Sequence, residues 1–129
     1  MNSLDEQLHL AAEIWKESRF AVALTGAGIS VGSGIPDFRS PGGLWTKFNP
    51  MEVATLTALR TNPGLVWEFL VEAALTFGTS KPNPAHTVLA EMEKAGKLEA
   101  VITQNIDNLH QEAGSKSVVE FHGNGMRFY

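Results

Sequence analysis

The sequence contains no cysteine. A disulfide framework, a thiolate zinc site and a cysteine nucleophile are therefore excluded from these 129 residues. Positive charge is also scarce. Ten Lys and Arg stand against fourteen Asp and Glu, for a formal net charge of -4, so no basic field exists to draw nucleic acid or anionic lipid by counterion release. No nucleic-acid or membrane partner is expected. Long hydrophobic runs are missing too: the longest, Phe20 to Leu24, falls far short of the roughly 20 residues a spanning helix needs. The first residues carry Asp5 and Glu6 where a secretory leader has basic and then apolar residues. Neither a membrane span nor a leader is expected, and the cytoplasm is the default location. What is present, 43% hydrophobic residues in this length, suits one domain around one core.

The apolar pattern divides the chain into alternating helices and strands. Ser3 with Glu6 forms a capping box ahead of Leu4, Leu8, Ala11, Ala12 and Trp15 at helical spacing, which predicts an amphipathic helix ending near Arg19, with Trp15 in the core. Phe20–Leu24 reads as a buried parallel strand. From Gly26 to Gly43 the chain holds six glycines and two prolines, which predicts a long loop through which no helix or strand runs. Asn49-Pro50, Asn62-Pro63 and Asn83-Pro84 each place a capping residue before a proline at the first helical position. Three helices follow, the second closed by Gly78 with Val66, Phe69, Leu70, Ala73 and Phe77 packing, the third running to Gly96 with Glu91, Glu93, Lys94 and Lys97 on a solvated face. Leu98–Thr103 and Ser117–Phe121 are further strands, with a turn or short helix over 106–111 between them. Strands alternating with helices predict an α/β fold with a mainly parallel sheet, whose ligands lie at the carboxyl ends of its strands.

Polar residues cluster where that rule puts them. Thr25-Gly26-Ala27-Gly28-Ile29-Ser30 follows the first strand, Gln104-Asn105-Ile106-Asp107 the second, and His122-Gly123-Asn124 the third. Glycines directly after a buried strand let the backbone approach a pyrophosphate. The spacing of Gly26, Gly28 and Gly32 is not the strict G-x-G-x-x-G, and no acidic residue ends a strand about twenty residues on, which disfavours an ordinary hydride-transferring dehydrogenase. The next stretch, Gly32-Ser33-Gly34-Ile35-Pro36-Asp37-Phe38-Arg39, sets an acid, an aromatic ring and a guanidinium beside a rigid Ile-Pro pair.

Five segments in order resemble the successive signatures of the sirtuins: Gly26-Ala-Gly-Ile-Ser30, Ser33-Gly-Ile-Pro-Asp-Phe-Arg39, Pro82-Asn-Pro-Ala-His86, Thr103-Gln-Asn-Ile-Asp107 and Phe121-His-Gly123. The resemblance runs from about Phe20 to Tyr129. It implies a partial Rossmann-like parallel sheet with flanking helices, of the sirtuin, deoxyhypusine-synthase-like NAD-binding architecture. On this reading residues 1–129 are the N-terminal part of a sirtuin catalytic domain, with a cofactor loop over 26–49 and a helical insertion over 50–78. The implied activity is NAD-dependent deacylation of protein lysine, with nicotinamide and an O-acyl-ADP-ribose released. The family's small zinc module needs two cysteine pairs that this chain lacks, so no metal site is expected.

The same resemblance assigns roles. Gly26, Ala27 and Gly28 line the phosphate turn; Ile35, Pro36, Asp37 and Phe38 border the nicotinamide pocket; Arg39 supports the loop. Ser30 and Gln104 hold ribose or phosphate oxygens, Asn105 positions the ribose or a water, and Ile106 and Asp107 meet the carboxamide. Breaking the nicotinamide–ribose bond builds positive charge at the anomeric carbon, so the site must hold the cofactor bent and exclude water. His122 is the expected general base, since an imidazole titrates near working pH. Of the other histidines, His9 is read as solvent-facing, His86 as a cap or packing group and His110 as a brace for its local turn. Trp45 is a packing anchor in the cofactor loop. So short a sheet is expected to leave its edges and one face uncovered, and such edges tend to aggregate or recruit another chain. The alternatives are a catalytically silent NAD or ADP-ribose-binding fragment, and a metal-dependent hydrolase using Asp107, His110 and His122.

Overall fold

A computed structural model describes residues 3–37, 41 and 43–127. Among them, β1 (Val22–Thr25), β2 (Ala100–Thr103) and β3 (Val118–Glu120) form one parallel sheet in the order β1-β2-β3. The register pairs Thr25 with Thr103 and Thr103 with Glu120. All three strands therefore finish level, and the segments that follow them emerge at one edge of the sheet. The ladder runs one step further, with the Gln104 amide donating to the Thr25 carbonyl and the Phe121 amide to that of Thr103.

The Asn-Pro pairs start helices as expected. Asn49 caps α3 (Pro50–Val53), Asn62 caps α5 (Pro63–Thr79) and Asn83 caps α6 (Pro84–Lys94), each through its side-chain oxygen. Three expectations need correction here. Helix α5 continues through Gly78 and ends at Ser80, because nothing at Gly78 demands a left-handed backbone. The glycine-rich stretch contains a short helix, α2 (Gly28–Val31), and a 3-10 turn over Leu44–Thr46 follows it. A further helix, α4 (Leu56–Thr61), is capped by the Thr55 hydroxyl and packs with α3 on α5. The chain passes Gly96 in a left-handed turn (φ 68°), and Glu93, read above as solvated, accepts the Lys116 and Ser117 amides. That bond ties α6 to the entry of β3.

The two faces of the sheet differ. Val101 is fully buried, and its face is covered by α6 and by α7 (Leu109–Glu112), whose His110 reaches across to Thr25. On the other face Leu24, Ile102 and Val119 stand opposite one another in register, and Leu24 is 71% exposed. The expectation of a buried first strand is thus corrected: β1 is parallel but open on one side. The amphipathic helix α1 (Leu4–Glu17) has its capping box, yet none of its residues is buried, and Leu4 and Leu8 are 70% and 59% exposed. Trp15 is half-buried rather than core, donating its indole N–H to the Lys97 carbonyl at 2.7 Å. Periodicity reports which face of a helix is apolar; it does not report what covers that face.

The core lies beneath the strand ends. Ile35 from the glycine-rich stretch, Ala73 and Phe77 from α5, and Leu109 from α7 form one buried cluster, with Ile106 packed against it. Trp45 stacks on Phe69 with centroids 5.8 Å apart, and Phe48 meets the same ring edge-on at 5.3 Å, which anchors the loop to α5 as expected. No described helix is long and apolar enough to cross a membrane.

Candidate functional site

A cavity of about 540 Å³ opens at the carboxyl ends of the strands. Ala27, Ser30, Ile35 and Pro36 line it from the first strand's loop, and Gln104, Asn105, Ile106 and Asp107 from the second. His122 joins them after the third. Two lining residues, Ala54 and Phe77, come from the helical insertion; sequence reading placed Phe77 in the core and passed over Ala54. Phe77 is both, because the face of α5 that packs on Leu109 also closes the apolar end of the cavity. Gly26 takes part through its carbonyl, and Gly28 begins α2. Asp37 is half-buried. Phe38 and Arg39 lie outside the described residues.

The floor of the cavity is a buried polar network. Ser30 is fully buried; its hydroxyl donates to Asp107 Oδ2 at 2.6 Å and accepts from Asn105 Nδ2 at 3.1 Å. Asn105 Nδ2 also donates to the Gly26 carbonyl at 3.2 Å, which leaves its Oδ1 as an acceptor. The other Asp107 oxygen accepts the Leu109 amide at 3.0 Å. These bonds lock the loops after β1 and β2 together, since each buried partner would be left unsatisfied if another moved.

Two histidines extend this network away from the cavity. The Asn83 amide donates to His86 Nδ1 at 3.3 Å, so the proton of the neutral ring sits on Nε2, 3.5 Å from Ser30 Oγ. His86 is thus the cap and packing group expected. His110 does not brace its local turn: its Nε2 lies 2.9 Å from Thr25 Oγ1, and its ring meets that of His86 edge-on at 4.9 Å. Burial lowers both imidazole pKa values, for His110 with a further push from His86, while the Asp107 charge pulls against it. His9 is exposed, as expected.

His122 behaves differently. It is exposed beside the cavity, and its Nδ1 lies 3.0 Å from the Gln104 carbonyl. A carbonyl only accepts, so Nδ1 carries the proton and Nε2 the lone pair. That is the tautomer a general base requires.

The model of the Sir2 family matches residues 26–129, which include every described residue lining this cavity. The chain belongs to the Sir2 family. It is 54% identical over 119 residues to a protein of Caldivirga maquilingensis named NAD-dependent protein deacetylase, covering 92% of this chain and 46% of that one. It is 53% identical over 116 residues to the NAD-dependent protein deacylase of Pyrococcus furiosus, covering 90% and 46%. Solved Sir2 structures superpose closely. A Sir2 homolog–NAD complex matches with TM-score 0.83 at 41% identity, over 95% of this chain and 47% of that one. A Sir2 protein with a deacetylated p53 peptide and 3'-O-acetyl ADP-ribose matches with TM-score 0.86 at 45% identity, over 91% and 47%. The chain thus spans about half the length of the relatives it matches.

The Sir2 cavity fits a nicotinamide group. Ile35, Phe77 and Ile106 offer apolar walls to a flat ring. The Asp107 carboxylate accepts one bond per oxygen from the chain and has capacity for a carboxamide NH2. A side chain at Gly28 would project into open space, so the backbone there is accessible to a phosphate. Zinc does not fit, since the sequence offers no thiolate, and the described residues contain no group of three acidic or histidine side chains able to hold a metal. Asp107, His110 and His122 accordingly do not assemble a hydrolase centre.

Proposed function

We propose that this chain carries the nicotinamide pocket and general base of an NAD-dependent protein lysine deacylase. The observation that supports it best is the orientation of His122, whose Nδ1 is engaged by the Gln104 carbonyl while the ring borders the cavity that Asn105 and Asp107 line. NAD, when bound, supplies the anomeric carbon that the acyl oxygen attacks and the nicotinamide that leaves. The apolar walls hold the ring and shed water. Asp107 orients the carboxamide, and Asn105 Oδ1 accepts from a ribose hydroxyl or an ordered water. Once the acyl oxygen has attacked, His122 Nε2 would take a proton from a ribose hydroxyl. Gly26, Ala27 and Gly28 receive the phosphates, with Ile35 and Pro36 bordering the nicotinamide. An acyl-lysine peptide is the proposed substrate, and the cytoplasm, where the dinucleotide is available, the proposed location.

The test is nicotinamide release from NAD by the 129-residue chain, with and without an acetyl-lysine peptide, beside His122→Ala. Peptide-dependent release that falls at least a hundredfold in the variant is expected, within the usual range for loss of a general base. NAD binding without release would favour the silent-fragment reading. Absence of both binding and release refutes the proposal.

A further inference from the structure

The segment after β3 is laced to the segment after β2 by more than the His122 contact. The Gly125 amide donates to the Ile106 carbonyl at 2.8 Å. Asn124 uses both hydrogens of its amide, one on Asn108 Oδ1 at 2.9 Å and one on the Glu120 carboxylate, and its Oδ1 accepts the Met126 amide at 2.8 Å. Asn108 holds a left-handed backbone (φ 67°), the only such non-glycine among the described residues, and its side chain does not cap α7. Glu120 accepts in addition from Gln111 on α7 and from Arg127. Besides His122 itself, Asn124 is therefore the side chain that ties the segment following Asn105 and Asp107 to the loop carrying His122 among the described residues.

We infer that Asn124, acting through Asn108 and Glu120, is a positioning residue for His122. Resting on the deacylase reading, its role is to keep the imidazole against the Gln104 carbonyl and so hold the proton on Nδ1. Without this tie the 121–127 segment retains its backbone bonds but has freedom to swing. The ring then exchanges its contact with Gln104 for water, and the Nε2–H tautomer, which cannot act as a base at Nε2, becomes populated.

Imidazole nitrogen NMR on the 129-residue chain reads the tautomer directly, without turnover. Of the neutral rings, wild-type His122 is expected almost wholly as the Nδ1–H form, and Asn124→Ala as a mixture in which that form is the minority. Asn108→Gly serves as a second variant that keeps the fold, because glycine adopts the left-handed backbone without strain while removing the Asn124 acceptor; it should shift the tautomer in the same direction. An unchanged His122 tautomer in folded Asn124→Ala or Asn108→Gly overturns the inference, as does a wild-type ring protonated on Nε2. Nicotinamide release measured alongside separates the two claims: a tautomer shift with no turnover in any chain upholds the positioning role and counts against the deacylase reading.

Discussion

Replacing Ser30 with alanine removes one oxygen from a place where nothing can substitute for it. The residue is fully buried, donates to a carboxylate at 2.6 Å and accepts from an amide at 3.1 Å. A hydrogen bond to a charged acceptor contributes about 1.5–3 kcal/mol, and each buried partner left short costs about 1–3 kcal/mol. Asn105 retains Gly26, so its loss is small, whereas Asp107 Oδ2 loses its Ser30 donor. The expected loss is about 3 kcal/mol, a large part of the roughly 5–15 kcal/mol that holds a typical domain, or a fall in Tm of about 10 °C for a domain of this length. Urea denaturation followed by far-ultraviolet circular dichroism measures it, with an unchanged m-value showing that stability and not the denatured state has moved. Ser33→Ala is the control: its hydroxyl is half-buried and accepts from Asn83 at 3.0 Å, so it should cost no more than about 1 kcal/mol. If the two variants cost the same, the network beneath the cavity does not carry the stability assigned to it.

The buried histidines make stability fall in mild acid. Both have native pKa values held below the ordinary imidazole value of about 6.5, so as pH drops the unfolded chain takes up protons that the native chain refuses. Stability should be complete above about pH 6.5 and decline below it, by up to about 1.4 kcal/mol per pH unit for each ring, until the native values are reached; a urea midpoint that is flat from pH 7.5 to 5 excludes this. Phe77→Ala should cost about 3–5 kcal/mol and weaken NAD binding through the same opened wall, read by denaturation and calorimetry; loss of stability with unchanged affinity would take Phe77 out of the site. Leu24→Lys with Val119→Lys, on the open sheet face, should reduce self-association in sedimentation velocity without lowering Tm; equal association by both chains would show that this face does not mediate it.

How much of this was legible follows from what kind of force fixes each feature. Asn49, Asn62 and Asn83 announce their helices because a cap and a first-turn proline are local chemistry. The strand-end clusters were legible because parallel strands of similar length deliver their successors to one edge. Helix α4 escaped because Thr55 caps it with no acidic partner three residues on, and its six residues are too few for a periodic pattern. Ala54 as a wall of the cavity, and Thr25 as the partner of His110 across 85 positions, are set by how separate elements pack. Local pattern does not encode that. The exposure of α1 belongs to the same class, whereas an uncovered face was expected of so short a sheet, even though Phe20–Leu24 is as apolar as a buried strand.

A second molecule covering that open face would make the folding of this chain a matter of mass action. Leu24, Ile102 and Val119 form a row across three strands, and in a parallel sheet such a row is normally covered. Whatever covers it binds the native state and not the unfolded one, and so enters the folding equilibrium as a ligand. A partner present at a hundred times its Kd adds about 2.7 kcal/mol, close to what the loss of Ser30's hydroxyl removes. If such a partner exists, a melting temperature recorded for this chain describes the chain together with its concentration and its company, and a variant that looks unstable alone is restored by adding the partner.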